Sequence, residues 1–165
     1  MKNSLSYRRS LPLSIKVLGA LVALAGAFAA GAQAEPGTNS KLTPVGGGSG
    51  GGMIEVSPTS HDVVGPGTFD VQGTVSVHGL APATGYRLLR SPDLIPNGVC
   101  TGTTALILPG NPTLTTSNGG AGALHFEVSR GAPFLDGVTF DVIFRVVDLA
   151  GNTVLQSDCL TVTVK

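Results

Sequence analysis

Four stretches of the 165-residue chain alternate apolar with polar side chains, and that alternation limits the possible folds most sharply. Phe69, Val71, Val75 and Val77 alternate with Asp70, Gln72, Thr74, Ser76 and His78. Leu124, Phe126 and Val128 alternate with His125, Glu127 and Ser129. Val138, Phe140, Val142, Phe144 and Val146 alternate with Thr139, Asp141 and Arg145, and Leu160, Val162 and Val164 with Thr161, Thr163 and Lys165. Successive side chains of a β-strand point to opposite faces, so a strand with one dry face reads with period two. Shorter apolar runs at Ile54–Val56, Tyr86–Leu89 and Ala105–Leu108 are weaker strand signals. Turn residues separate these runs: Gly65-Pro66-Gly67, Asn97-Gly98, Pro109-Gly110-Asn111-Pro112, Asn118-Gly119-Gly120 and Gly151-Asn152. No segment after residue 35 keeps a helical period. The pattern predicts an all-β fold, an antiparallel β-sandwich of about seven or eight strands.

The N-terminus predicts export. Lys2, Arg8, Arg9 and Lys16 form a basic head, Val17 to Ala30 is apolar and uncharged, and Ala32-Gln33-Ala34 precedes Glu35. That order is a signal peptide over residues 1–34, cleaved between Ala34 and Glu35. An uncleaved anchor would want about 20 strongly apolar residues, and this run is shorter and rich in Ala and Gly. No Cys follows it, so lipid attachment is not indicated. Residues 35–52, rich in Gly, Pro, Ser and Thr, read as a flexible spacer, leaving 53–165 as the folded domain.

Cleavage changes the charge. The full chain carries 10 basic and 10 acidic residues. Residues 1–34 hold four of the cations and no acid, so the mature chain keeps six basic and ten acidic residues, net −4. No cluster of Lys and Arg is left to neutralise phosphates, which argues against nucleic acid as a partner. After cleavage no membrane segment is expected either.

Cys100 and Cys159 are the only cysteines. In an exported chain an even pair reads as a disulfide. Closing a loop of about 60 residues contributes roughly 4 kcal/mol in the chain-entropy model. Cys159 has the parity of Thr161 and Thr163, opposite to Leu160, Val162 and Val164. The bridge is therefore expected to staple the Ser91–Cys100 stretch to the outside of the last strand.

Two local motifs carry a resemblance. Gly79-Leu80-Ala81-Pro82-Ala83-Thr84-Gly85-Tyr86 resembles the G-L-x-P-x-T-x-Y corner of fibronectin type III domains. Val147-Asp148-Leu149-Ala150-Gly151-Asn152-Thr153 resembles the D-x-A-G-N turn of bacterial immunoglobulin-like repeats. Together they cover about 15 residues. Some 80 residues follow Tyr86, where a fibronectin domain has only a strand or two left, and the chain has no Trp. The resemblance implies an immunoglobulin-like sandwich and a structural role for Tyr86, whose hydroxyl would bond back to the backbone. It implies no activity, because such folds host many.

The residues offer little catalytic chemistry. His61, His78 and His125 show no metal-ligand spacing. His78 and His125 share the polar parity of their strands, and only their meeting in space would make a copper or zinc pair. Asp136, Asp141, Asp148 and Asp158 form no calcium loop, and Asp148 reads as a turn residue. No G-x-S-x-G is present. The expectation is a non-enzymatic module without cofactor, exported to the periplasm, the cell surface or the medium, that binds an unknown protein or surface ligand through Ser91–Val99, Pro109–Pro112 or Gly131–Gly137. The alternatives are an assembly subunit joined by strand addition and a periplasmic copper-binding protein.

Overall fold

The computed structural model describes residues 38–60, 69–130, 133–134 and 137–164. The chain divides into Met1–Gln33 and Ala34–Lys165, and every described residue belongs to the second unit. The signal-peptide features, including Ala34 and Glu35, lie outside the described residues, as do His61, Asp136 and the Gly65-Pro66-Gly67 turn.

The fold is all-β. In chain order the strands are β1 (Thr38–Pro44), β2 (Gly51–Ser60), β3 (Phe69–His78), β4 (Gly85–Asp93), β5 (Leu106–Ile107), β6 (Thr113–Thr115), β7 (Gly122–Arg130), β8 (Thr139–Asp148), β9 (Thr153–Ser157) and β10 (Leu160–Thr163). Among the described residues the expected seven or eight strands become ten because two sheet positions are each filled by a broken pair. β5 and β6 share the edge of β4 away from β8. β9 and β10 share the edge of β8 away from β4, interrupted at Asp158 and Cys159.

All ten strands join one antiparallel network, in the order β5-β4-β8-β9-β1-β2-β3-β7, with β6 on β4 and β10 on β8. The expectation of two separate sheets gives way to one curled sheet around a single core. β1 makes the difference. It pairs with β2 through Thr38↔Val56 to Leu42↔Gly52 and with β9 through Leu42↔Ser157 to Pro44↔Leu155. Without it, β2-β3-β7 and the β4-β8-β9 side would have no ladder between them.

β1 also corrects the spacer. Residues 38–44, read as tether, alternate inward at Ser40 and Leu42, and Leu42 is only 2% exposed. The glycine run after it forms the turn into β2, and Gly51 and Gly52 open that strand. Gly52 is there for space: a Cβ would stand 2.1 Å from the Ser76 carbonyl oxygen across the ladder. The folded unit therefore begins before residue 53.

The core takes one parity from each long strand: Ile54 and Val56, Val75 and Val77, Tyr86 and Leu88, Phe126 and Val128, and Phe140, Val142, Phe144 and Val146. In β3, β7 and β8 these are the positions the period-two reading assigned to the dry face. β3 leaves a gap in its inner row at Gly73, and Phe126, its partner in register, fills it. The tyrosine of the G-L-x-P-x-T-x-Y stretch is 4% exposed, and its hydroxyl accepts a hydrogen bond from Ala81 N at 3.2 Å.

Candidate functional site

β8 is buried on both faces. Asp141, Ile143 and Val147 carry the outward parity, yet Asp141 is 0% exposed. The cover over Asp141 is the loop that leaves β4 at Asp93. Asn97 N and Gly98 N donate to Asp141 Oδ2 at 2.9 and 2.7 Å, and Thr161 Oγ1 of β10 donates to Asp141 Oδ1 at 2.6 Å. An ionised carboxylate removed from water needs such donors. The Thr161 hydroxyl, with the N–H groups of Gly98 and Asn97, holds the carboxyl below its ordinary value against the opposing effect of burial.

The loop is also held from within. Asp93 Oδ1 accepts from Ile95 N at 3.1 Å, and Asp93 Oδ2 accepts from Thr101 Oγ1 at 2.6 Å and Thr101 N at 3.1 Å. Those bonds, the Thr101 hydroxyl first, lower the Asp93 pKa. Asn97 Oδ1 accepts from Val99 N at 2.8 Å, an Asx turn. The Cys100–Cys159 disulfide, with Cα atoms 5.4 Å apart, ties the end of the loop to the break between β9 and β10. Neither cysteine is in the core cluster. Cys159 leads into Thr161, whose hydroxyl meets Asp141 on the outer face, so the bridge lies outside the sheet.

What this scaffold displays is apolar. Leu94 is 52% exposed, Ile95 65% and Val99 59%. Three bulky side chains are thus held toward water by backbone bonds and a covalent link that leave the loop little room to collapse.

The other sequence-predicted residues do not assemble. His78 and His125 are both exposed on the outer face. His125 lies opposite Thr74 and bonds it, with Nδ1 3.3 Å from Thr74 Oγ1. His78 is four residues further along β3, about 13 Å at the usual strand rise, and lies opposite Gly51. Among the described residues no three His, Cys, Asp or Glu side chains are placed to hold a metal ion. Asp148 caps its hairpin: Oδ1 accepts from Asn152 N at 2.8 Å and Oδ2 from Asn152 Nδ2 at 2.9 Å, which lowers its pKa. Pro109–Pro112 is an exposed turn between β5 and β6, and of Gly131–Gly137 only residues 133, 134 and 137 are described.

Sequence reasoning proposed Ser91–Val99 as a loop but missed its anchor. Asp141 stood only as a polar-parity residue of its stretch, and parity reports the face of a strand, not what later folds over it. No family model matches the chain, and no curated protein matches it.

Proposed function

We propose that this chain is an exported, non-enzymatic binding module whose recognition surface is the Asp93–Thr101 loop. The observation that carries the reading is the exposed trio Leu94, Ile95 and Val99 on a loop fixed by Asp141 and by the disulfide. Rigid loops lose little conformational entropy on binding, so apolar area displayed on them converts efficiently into affinity. A disulfide fits an oxidising compartment and hence export with a cleaved leader. The curled sheet is read as a relative of immunoglobulin-like and fibronectin type III sandwiches; the Ala81–Tyr86 bond and the Asp148–Asn152 cap support that.

The test compares purified mature protein with the triple variant Leu94→Ser, Ile95→Ser, Val99→Ser for retention on envelope fractions of the producing cell. Saturable retention lost at least tenfold in the variant, with the thermal transition unchanged, supports the reading. Equal retention of both proteins rejects the loop as the binding surface.

A second reading, a subunit joined by strand addition, draws on the outer edge of β7, which no described strand pairs. Native mass separates the two. A monomer lighter than its sequence mass by about two hydrogens fits the module, whereas a large, heat-labile species fits the subunit.

A further inference from the structure

The described residues hold five asparagines, and the residue after each one decides its chemistry. A backbone nitrogen can attack the side-chain carbonyl of the asparagine before it. Glycine in the second place favours this, because no side chain obstructs the approach. Asn111 precedes Pro112, whose nitrogen carries no hydrogen. Asn39 lies in the β1–β2 ladder opposite Glu55. Asn152 precedes the β-branched Thr153, and its Nδ2 donates to Asp148 Oδ2 at 2.9 Å. Asn97-Gly98 and Asn118-Gly119 remain.

Both pairs are exposed, but the surroundings of their attacking nitrogens differ. Gly98 N donates to Asp141 Oδ2 at 2.7 Å, and Asn97 Oδ1 accepts from Val99 N at 2.8 Å. To react, Gly98 N has to give up its proton beside a carboxylate, and the Asn97 side chain has to leave its own turn. Asp141 is 0% exposed, so water does little to screen a second negative charge at that distance. The Cys100–Cys159 bridge keeps the segment from swinging clear. Asn118-Gly119 instead forms the middle of the turn from β6 to β7, closed by Gly120 N donating to Ser117 O at 2.9 Å. The partner of Gly119 N is a neutral hydroxyl, Ser117 Oγ at 3.3 Å. Outside its chain neighbours, the nearest atom to a Cβ built at Gly119 is that same oxygen, at 3.7 Å, so a ring has room to close.

We propose that Asn118 is a site of self-modification, converted through a succinimide to isoaspartate and aspartate, and that Asp141 spares Asn97 the same reaction. Gly119 N bonds to Asn118 Cγ, the Cγ–Nδ2 bond breaks, and Nδ2 leaves as ammonia with the proton that Gly119 N gave up. One water then opens the ring. Addition at Cγ gives aspartate, and addition at the main-chain carbonyl gives isoaspartate, whose backbone runs through Cγ. One water is consumed and one ammonia released, with no oxidant or reductant. Either product adds a negative charge. Isoaspartate also lengthens a turn that braces the Leu80–Tyr86 corner, where Leu80 N donates to Gly120 O and Ala83 N to Ser117 O, each at 3.1 Å. The chemistry is the same whatever the Asp93–Thr101 loop binds.

The test incubates the mature, oxidised protein at mildly alkaline pH beside the same chain reduced and denatured. Digests are mapped by mass spectrometry, with fragmentation that separates isoaspartate from aspartate. In the folded protein Asn118 is expected to convert about tenfold or more faster than Asn97, which has two hydrogen bonds to give up, one of them to a charge. In the denatured chain the two should convert at similar rates. Asn118→Gln should remove the fast event, because its longer side chain closes a six-membered ring less readily. Asp141→Asn should raise the rate at Asn97 toward that at Asn118. The folded and denatured samples of the unmodified protein decide the question if a variant fails to fold. Equal rates at the two sites in the folded protein, a faster Asn97, or the same preference for Asn118 in the denatured chain overturns the proposal.

Discussion

At the scale of single residues, two positions decide more than their chemistry advertises. Gly52 sits where a methyl group would meet the Ser76 carbonyl oxygen at 2.1 Å, a backbone atom that cannot swing aside. Gly52→Ala should therefore cost about 2 kcal/mol or more, read as a lower urea midpoint with an unchanged slope. Asp141 is the other. Asn at 141 keeps the shape and an acceptor for Thr161 but turns an amide donor toward the N–H groups of Asn97 and Gly98. Asp141→Asn should destabilise by about 2–4 kcal/mol, the cost of hydrogen bonds to charge plus buried donors left unpaired. The sign with pH follows. A carboxyl whose folded pKa lies below its ordinary 3.8 stabilises fully above that value and loses its contribution as pH falls through the folded value. Urea titrations between pH 7 and pH 5 should thus show no decline from Asp141. Below about pH 3.8 the decline should be steeper in the parent than in Asp141→Asn.

At the scale of elements, legibility followed side-chain volume. β3, β7, β8 and β10 could be read because their inner rows are Val, Leu and Phe, and each falls on the parity the core uses. β1 could not. Its inward residues are only Ser40 and Leu42, and it runs into glycines that composition assigns to a tether. Those glycines are a turn and the start of a strand, so a local rule about flexible runs lost to a tertiary pairing no local window contains. β6 and β9, which complete the broken positions beside β5 and β10, escaped for a related reason: strands of three and five residues give too few alternations to count. The same logic hid the loop's anchor, since Asn97-Gly98 was visible as a turn but its acceptor lies 43 residues away from Gly98. A deletion tests the role of β1. A mature chain that begins at Met53 should lack cooperative unfolding, because β9 and β2 lose their shared neighbour. A chain that begins at Glu35 should unfold in one transition. Far-UV circular dichroism during a thermal ramp distinguishes them, and a sharp transition in the shorter chain would show that the two sides hold together through the core alone.

At the scale of the whole molecule, the fold is a sheet that holds itself together and a loop that has to be held. The sheet has an apolar core contributed by all its long strands. The loop has Asp141, its own Asp93 and Asn97 turns, and the Cys100–Cys159 bridge, which spans a sequence separation of 59. Neither cysteine packs in the core, so opening the bridge removes no apolar burial. It releases a chain closure worth roughly 4 kcal/mol in the entropy model, and it frees one end of the loop while the Asp141 bonds keep the middle. Reduction should therefore act on two levels. Global stability should fall by about that amount with a steeper denaturant slope, since the unfolded chain is less compact without its cross-link. Locally, amides of residues 94–101 should exchange faster than those of β3 and β8, by sub-global opening that leaves the sheet protected. The double variant Cys100→Ser, Cys159→Ser should behave as the reduced protein does. Hydrogen exchange on oxidised and reduced samples reads both levels at once. Uniform acceleration across loop and sheet would mean the loop is not a separable unit, and that Asp141 holds the outer face of β8 in place as much as β8 holds the loop.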